Sequence, residues 1–244
     1  GLRKDHWEMN QPHAPYLIAI AIGNFGKVES AYGNVPLGYY VEKGFEKGAS
    51  KVFENTPKMM SFFEEKLDVP FPWQKYDQII VRDFVSGAME NTTASIFMEE
   101  LRLDEREALD SEWDYIIAHE LFHQWFGDLV TTESWANLTL NEAFANYSEY
   151  LWNEYYYGSD QAALKLVAEM EGYFAESEEK QVNLIRFDYY DSEDMFDAHS
   201  YNKGGVILHM LRKYLGDEIF FKSLHEYLKK HSLGCGKCEK WIYE

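Results

Sequence analysis

A short run contains the side chains with the clearest chemistry: His119-Glu120-Leu121-Phe122-His123, followed after eighteen residues by Glu142. On a helix, residues four apart project from the same face, so both imidazoles can bind one ion. Two histidines and a carboxylate leave the fourth position of a zinc ion for water, which is typical of catalytic sites. Glu120 would then act as general base on that water. The spacing predicts a hydrolytic zinc site.

The residues around this run argue against a chance arrangement. Apolar side chains recur at helical spacing on both sides of it: Trp113, Ile116, Ile117, Leu121 and Trp125. Gly127 follows as a candidate C-cap. Because charged groups on a buried helix are costly unless they are paired or bind a metal, a metal explains the two histidines and the glutamate better than coincidence does.

A second helical stretch contains Glu142 and Glu149, which are seven residues apart and therefore share a face. We predict Glu142 as the third zinc ligand. We predict Glu149 as a carboxylate that holds one of the histidine rings in place. For Glu149, an ordinary solvent-exposed helix glutamate is an equal alternative at this stage.

The elements that must position these residues change in character along the chain. In the first hundred residues the pattern predicts strands at 16–22, 37–41 and 76–84, an extended edge-strand run at 86–98, and a helical region at 47–67 interrupted at Pro57. From Ser111 onward the periodicity is mainly helical, with further helices predicted near 141–157, 160–177, 203–215 and 217–231.

This order of elements predicts an α+β fold. We expect a β-rich N-lobe at residues 1–110 and a helical lobe at 111–244 that carries the histidine run. Together the two lobes would form one catalytic domain, with the zinc site in the cleft between them.

Composition excludes some classes of function. The net charge of −19, from 23 basic and 42 acidic residues, disfavours a nucleic-acid partner. The sequence has no apolar run long enough to span a membrane. Cys235 and Cys238 cannot fill a four-cysteine zinc site, and we expect them in a solvent-exposed terminal loop, with a disulfide left open.

The N-terminus is polar and has no signal-peptide pattern. We expect the chain to be a fragment of a longer protein. Its compartment and oligomeric state therefore stay open.

Three further motifs carry a family resemblance: Gly87-Ala88-Met89-Glu90-Asn91, Phe126-Gly127-Asp128-Leu129-Val130-Thr131 and Ser200-Tyr201-Asn202-Lys203-Gly204. With the histidine run and Glu142, the chain resembles the aminopeptidase N family of zinc metallopeptidases, which are gluzincins with a thermolysin-like catalytic domain. The resemblance spans nearly the whole chain. It departs from the family pattern at Ala143, where glycine is common, and at Thr139, where tryptophan is usual.

The resemblance implies a role for each matching position. One zinc ion per chain would bind His119, His123 and Glu142, with Glu120 as general base and Tyr201 as hydrogen-bond donor to the oxyanion. The substrate would lie along the segment that contains Gly87, Ala88, Met89 and Glu90. Glu90 would pair with the free α-amine of a peptide, so peptides with a free N-terminus are the expected substrates. The family also implies contacts with N- and C-terminal domains that this chain lacks.

Two other functions stay open from the sequence. A thermolysin-like endopeptidase would use the same zinc chemistry, although Glu90 argues against it. An isolated zinc-binding module with little activity without its flanking domains is the second alternative. The preferred N-terminal residue and the physiological substrate are not encoded in any motif of the chain.

Overall fold

The fold is built on a five-stranded mixed sheet. A computed structural model describes residues 2–236. The strands of the sheet are β1 (Phe25–Tyr32), β2 (Val35–Glu42), β3 (Tyr76–Ile80), β4 (Ala88–Met89) and β5 (Ala94–Phe97). Their spatial order is β1-β2-β3-β5-β4. The two outer pairs are antiparallel, and β2, β3 and β5 run parallel to one another.

Seven α-helices lie within the described part of the chain: α1 (Glu46–Val52), α2 (Thr56–Leu67), α3 (Asp114–Phe122), α4 (Thr139–Tyr156), α5 (Ser159–Ser177), α6 (Gly204–Leu215) and α7 (Asp217–His231). Two short strands, β6 (Val130–Thr132) and β7 (Gly234–Gly236), form a separate parallel pair. This mixed α/β architecture agrees with the predicted fold class at that level. The boundary near residue 110 stays a prediction.

One hydrophobic cluster joins the sheet to the helices that carry the histidine run. It includes Leu37 and Tyr76 from the sheet, Phe63 from α2, and Leu121 from α3. Phe63 packs edge-on against Phe122, with ring centroids 5.0 Å apart. The core therefore fixes α3 against the sheet by large buried side chains, which are the main source of folding free energy.

The strand predicted at residues 16–22 is wrong. The segment starts with a 3₁₀ turn at Pro15–Leu17 and continues without pairing to any described strand. Leu17 is buried, whereas Ile18, Ile20 and Ile22 are exposed. Apolar content alone predicted a strand here, but the segment finds no neighbouring strand with which to form hydrogen bonds.

The first strand of the sheet, β1, is absent from the predicted elements. It pairs with β2 through a tight turn at Gly33, which has a φ of +54° and so favours glycine. Most side chains of β1 are only partly buried. An outer strand of this kind has no continuous apolar run to reveal it.

Other predicted bounds need adjustment. The helical region at 47–67 is two helices, and Pro57 lies in the first turn of α2, where its missing N–H costs nothing. The strand predicted at 76–84 ends at Ile80. The run at 86–98 folds into β4, which lies at the edge of the sheet, and β5, which lies inside it.

The helical half agrees closely with its predicted bounds, and α7 begins and ends where the periodicity placed it. Cys235 has its backbone in β7, rather than in a loop, and Cys238 lies outside the described residues. None of the helices within residues 2–236 has the length and apolar character needed to cross a bilayer.

Candidate metal centre

Two packed helices position the candidate ligands. His119 and Glu120 lie in α3, and His123 follows its last residue, with its N–H donating to the His119 carbonyl at 3.2 Å. Glu142 lies in the first turn of α4. The helices contact closely enough for the Ser148 hydroxyl to donate to the Ala118 carbonyl at 3.2 Å. The run and the distant glutamate therefore meet because α3 and α4 pack together.

The two imidazoles converge on one carboxylate oxygen. Nε2 of His119 and Nε2 of His123 each lie 3.3 Å from Oε2 of Glu142. The potential ligand atoms of the three residues all lie within 4.8 Å of one another, and all three side chains are buried. This donor set, two imidazoles and one carboxylate, is the type that zinc prefers.

The Nδ1 atoms of both imidazoles have hydrogen-bond partners within the protein. Nδ1 of His119 lies 2.8 Å from Oε1 of Glu149, and Nδ1 of His123 lies 2.9 Å from the Phe126 carbonyl oxygen. An acceptor at Nδ1 fixes the proton there and leaves the lone pair of Nε2 directed into the site. The residues present therefore fit a bound metal ion.

The contacts among His119, His123 and Glu142 shift the pKa values of these side chains. Burial alone would lower the pKa of His119, but hydrogen bonds to Glu142 and Glu149 outweigh it and raise the pKa to about 9. Burial likewise opposes ionisation of Glu142, but the neighbouring His123 and the hydrogen bonds from both imidazoles hold its pKa well below the usual range. A metal ion would replace the protons on the two imidazoles.

Glu149 is buried, with 5% of its surface exposed, so it is not a solvated helix residue. Its second oxygen lies 2.6 Å from Nζ of Lys165. Lys165 also pairs with Glu169 at 2.5 Å, and Glu169 accepts a hydrogen bond from Asn146 at 3.2 Å. A continuous polar chain thus runs from the His119 ring through α4 to α5.

Glu120 and Glu90 lie beside the three candidate ligands. One carboxylate oxygen of each glutamate and a ring nitrogen of His123 lie within 4.8 Å of one another. Both carboxylates are therefore close to that imidazole. Burial raises the pKa of Glu120 to about 8 and also raises the pKa of Glu90. Oε2 of Glu120 has no hydrogen-bond partner among the described residues. A buried carboxyl with a free oxygen and a pKa near neutrality suits proton transfer.

The backbone around Glu90 is held against the end of α3 by Gln124. The Gln124 side chain donates to the Glu90 carbonyl at 3.1 Å and accepts from the Thr93 N–H at 3.0 Å. Ala88 and Met89 form β4, the outermost strand, and Gly87 accepts a hydrogen bond from the Met98 N–H at 3.0 Å. Within residues 2–236, no strand lies on the other side of β4.

Tyr201 lies in a π-helical turn, His199–Lys203, immediately before α6. Its ring is nearly parallel to that of His119, with centroids 6.0 Å apart. Burial and the nearby Glu142 and Glu90 carboxylates raise the pKa of Tyr201 well above its usual value. The phenol therefore keeps its proton and can donate a hydrogen bond into the site.

Asp197 fixes this turn. One carboxylate oxygen accepts from the N–H groups of His199 and Ser200 at 3.1 and 2.9 Å. The other lies 2.5 Å from both Lys180 and Arg186. The Asp197 carboxylate is therefore neutralised by two cations while it caps the first turn of the segment that carries Tyr201.

Two glycines bring the start of α6 against α4. A Cβ atom on Gly204 would collide with the Cβ of Ala143, and one on Gly205 would collide with the side chain of Asn146. The Thr139 hydroxyl donates to the Ser200 carbonyl at 3.1 Å. The start of α6 therefore packs closely on the helix with Glu142, with the side chains of Thr139, Ala143 and Asn146 at the contact.

Sequence reasoning missed several residues that build this centre. Gln124 directly follows the histidine run, but no spacing rule marks it. Asn141 precedes Glu142, and its amide donates to the Tyr16 hydroxyl at 3.2 Å. Asn91 follows Glu90 and donates to the Leu17 carbonyl at 3.2 Å. Asn91 and Asn141, each next to a predicted site glutamate, were the only sequence signal that the segment with Tyr16 and Leu17 packs against this centre.

Comparison of the sequence with known proteins identifies the family of this chain. The profile of the peptidase family M1 domain matches residues 51–242, which is most of the chain and includes the histidine run, Glu142 and Tyr201. The chain belongs to the peptidase family M1. This assignment confirms the predicted resemblance.

Named relatives agree with the family. The chain is 34% identical to aminopeptidase M1-C of Oryza sativa subsp. japonica over 96% of its own length, and 34% identical to aminopeptidase N of Streptomyces lividans over 90%. It is 33% identical to endoplasmic reticulum aminopeptidase 2 of Bos taurus over 94%. The chain covers only 28%, 27% and 25% of these three relatives, about a quarter of their length.

Proposed function

We propose that this chain is the catalytic domain of a zinc-dependent aminopeptidase, which releases the N-terminal residue of peptides. The observation that carries the proposal is the convergence of both Nε2 atoms on one Glu142 oxygen, with Glu120 and Glu90 beside them. The names of the family and of the relatives support a peptidase. We further propose that residues 1–110 and 111–244 form the two lobes of one thermolysin-like domain, with the site between them.

His119, His123 and Glu142 would hold the zinc ion. When bound, zinc supplies Lewis acidity, which lowers the pKa of water from 15.7 towards about 7. The donor set fits this ion because both imidazoles have acceptors at Nδ1 and direct their Nε2 atoms to the same Glu142 oxygen. Glu149 would keep the His119 ring in its orientation.

Glu120 would move the proton. Its carboxylate accepts a proton from the attacking water and later donates it to the nitrogen of the leaving amine. A pKa near 8 suits a group that must do both near neutrality. Tyr201 would donate its hydroxyl hydrogen bond to the oxygen of the scissile carbonyl as that oxygen gains negative charge.

Glu90 and the edge of β4 would select the end of the peptide. An extended substrate adds to the open side of β4 by backbone hydrogen bonds, which the segment Gly87, Ala88 and Met89 can supply. Glu90 then pairs with the α-ammonium group, and this pairing sets the scissile bond one residue from the chain end. An internal peptide bond has no such cation, so the endopeptidase alternative gains nothing from Glu90.

The test compares Glu120→Gln with the parent chain. We expect the variant to retain about one zinc ion per chain by elemental analysis and to lose roughly 10²–10⁴-fold in turnover. Glu112→Gln, an exposed glutamate just before α3, is the matched control and should leave both quantities unchanged. An active Glu120→Gln variant would show that another group is the base.

Substrates separate the alternatives. Free-amine aminoacyl chromogenic substrates should be cleaved and their N-acetylated counterparts should not. Equal cleavage of both would favour the endopeptidase. A folded chain that binds zinc and cleaves neither, while the longer protein does, would identify an isolated module that depends on its flanking domains.

A further inference from the structure

One buried side chain, Gln124, links the end of α3 to the segment that carries Glu90. Gln124 directly follows the candidate ligand His123 and is fully buried. Its Nε2 donates to the Glu90 carbonyl at 3.1 Å, and its Oε1 accepts from the Thr93 N–H at 3.0 Å. Because a buried amide is costly unless it is hydrogen-bonded, these two contacts hold the side chain in one place. Gln124 has no part in the hydrolysis proposed above.

The two backbone groups that bind Gln124 belong to one turn between β4 and β5. Glu90 and Thr93 are three positions apart, a spacing at which a carbonyl and an N–H commonly bond to each other directly. Here both groups bind the Gln124 amide, which bridges them. The overlapping turn closes in the ordinary way, with the Ala94 N–H donating to the Asn91 carbonyl at 2.8 Å. The place of Glu90 beside β5 therefore depends on a side chain that follows α3.

The backbone of Thr93 shows that this turn is constrained. Its φ is +67°, in the left-handed region that β-branched residues rarely adopt. Such a conformation persists where surrounding contacts fix it, and it is typical of functional sites. The Thr93 N–H is fixed by Gln124, and its carbonyl accepts from the Asp77 N–H at 2.8 Å and from Nζ of Lys75 at 3.2 Å. Gln124 thus supplies one of the contacts that hold the turn in a conformation it would otherwise leave.

The backbone of Gln124 is itself fixed. Its N–H donates to the Leu121 carbonyl at 3.1 Å. Its carbonyl accepts from Nε1 of Trp73 at 3.1 Å and from the Leu129 N–H at 3.3 Å. Because His123 is the preceding residue, the Gln124 amide has a set position relative to this candidate metal ligand.

The position of Glu90 matters because its carboxylate lies beside the metal centre. One of its oxygens, an oxygen of Glu120 and a ring nitrogen of His123 lie within 4.8 Å of one another. A hydrogen bond between an ammonium group and a carboxylate has a narrow range of length, about 2.7–2.9 Å. A displacement of Glu90 by about 1 Å would therefore weaken its pairing with an α-ammonium group or misplace the scissile bond.

We infer that Gln124 is the positioning residue that sets the place of Glu90 relative to the metal ligands. This inference rests on the proposed function, in which Glu90 pairs with the α-ammonium group of the peptide. Gln124 acts through Glu90 and does not touch the substrate. Recognition of a free N-terminus then depends on one buried amide next to the histidine run.

Binding of two matched ligands tests this role. We would measure Kd by calorimetry for alanyl-alanine amide and for its N-acetylated counterpart, with the zinc-loaded Glu120→Gln chain, which should hydrolyse them little. The ratio of the two Kd values is the amine preference. Adding Gln124→Met removes both hydrogen bonds and keeps an unbranched side chain of similar size. A general loosening of the fold would weaken both ligands and leave the ratio unchanged.

We expect Gln124→Met to reduce the amine preference roughly three- to tenfold, and Glu90→Gln to reduce it by about tenfold or more. Because Gln124 acts through Glu90, the chain with both changes should match Glu90→Gln alone within about twofold. The matched control is Gln78→Met. Gln78 is also a fully buried glutamine, but it accepts from the Thr56 hydroxyl at 2.8 Å, at the start of α2. The control should leave the amine preference unchanged.

Gln124→Asn is the second variant, in case Gln124→Met does not fold. It keeps the amide and shortens the side chain by one methylene group. The turn must then move towards α3 or lose a hydrogen bond, and either change displaces Glu90. We therefore expect Gln124→Asn to reduce the amine preference as well.

The possible failures have different meanings. If the parent chain hydrolyses free-amine substrates but the Gln124 variants keep the full amine preference, this inference is overturned and the proposed function stands. Equal weakening of both ligands, additive losses in the double variant, or failure of both Gln124 variants to fold would also overturn it, because each assigns Gln124 a general structural role. If the parent chain hydrolyses no free-amine substrate, the proposed function fails, and this inference fails with it.

Discussion

The contact between Glu149 and His119 makes a quantitative prediction about metal affinity. Glu149→Gln keeps the size of the side chain and leaves an amide oxygen that can still accept from Nδ1, but it removes the negative charge. Lys165 retains Glu169 as a partner at 2.5 Å, so the substitution does not leave a lysine unpaired. The change therefore isolates the charge that acts on the histidine ring.

The magnitude follows from the 2.8 Å contact between Nδ1 and Oε1. A hydrogen bond to a charged group contributes about 1.5–3 kcal/mol, against about 1 kcal/mol for a neutral pair. The difference, roughly 0.5–2 kcal/mol, corresponds to about a 2- to 30-fold weaker Kd for zinc. Changes to such outer partners of metal ligands generally weaken binding by about 10- to 100-fold, so we expect a loss of about tenfold.

The assay is competition for zinc against a chromophoric chelator of known affinity at neutral pH. Glu154→Gln is the matched control, since Glu154 lies on the same helix but pairs with Arg212 at 2.7 Å, away from the metal centre. The control should change stability slightly and leave the Kd for zinc unchanged. If Glu149→Gln binds zinc as tightly as the parent chain, or if both variants weaken it equally, the supporting role of Glu149 is refuted.

Three further predictions concern catalysis and acid stability. Tyr201→Phe should lower kcat by roughly 10²–10³-fold with little change in KM, because the hydroxyl acts as charge develops. Glu90→Gln should raise KM for free-amine substrates by about tenfold or more, because the pairing with the α-ammonium is lost. Burial opposes ionisation of Asp197, but the hydrogen bond from Lys180 and its other partners hold its pKa below the usual value. Because its folded pKa is lower than its unfolded pKa, Asp197 stabilises the fold above about pH 3.9, and this stability is lost as pH falls further. The urea midpoint of unfolding should therefore be lower at pH 3 than at pH 5.

Each of these predictions has a result that contradicts it. A Tyr201→Phe variant with unchanged kcat would remove the phenol from the mechanism. If Glu90→Gln slowed N-acetylated and free-amine substrates by the same factor, Glu90 would not recognise the amine. For acid stability the control is Asp197→Asn, which should lose less stability than the parent between pH 5 and pH 3; an equal loss would assign the effect to other carboxylates.

The histidine run and its helix were predictable because several local signals agree there. Apolar spacing, the four-residue interval between His119 and His123, and the cost of buried charge all point to one face of one helix. Glu142 could be predicted as a ligand from its eighteen-residue separation from the run, and the packing of α3 on α4 brings its carboxylate to both imidazoles. Tyr201 and Glu90 needed the family resemblance, since neither has a local pattern of its own.

What the sequence could not supply is long-range polar pairing. The apolar content of residues 16–22 indicated a strand, but pairing depends on a neighbouring strand, and the described part of the chain offers none to this segment. Only packing reveals that Asn141 reaches Tyr16, because the two residues lie more than a hundred positions apart in the sequence. Periodicity reports which face of an element is buried, and it carries no information about which polar groups meet across elements.

The close approach of α6 to α4 has a consequence for how the site responds to heat. Gly204 meets the methyl group of Ala143 and the hydroxyl group of Thr139, so no long side chain lies where the helix that carries Glu142 approaches the start of α6. Long side chains at such a contact would change rotamer as temperature rises and would let the two segments drift. Because short buried side chains have few rotamers, we expect the separation between the phenol and the carboxylate to change little with temperature while the domain stays folded.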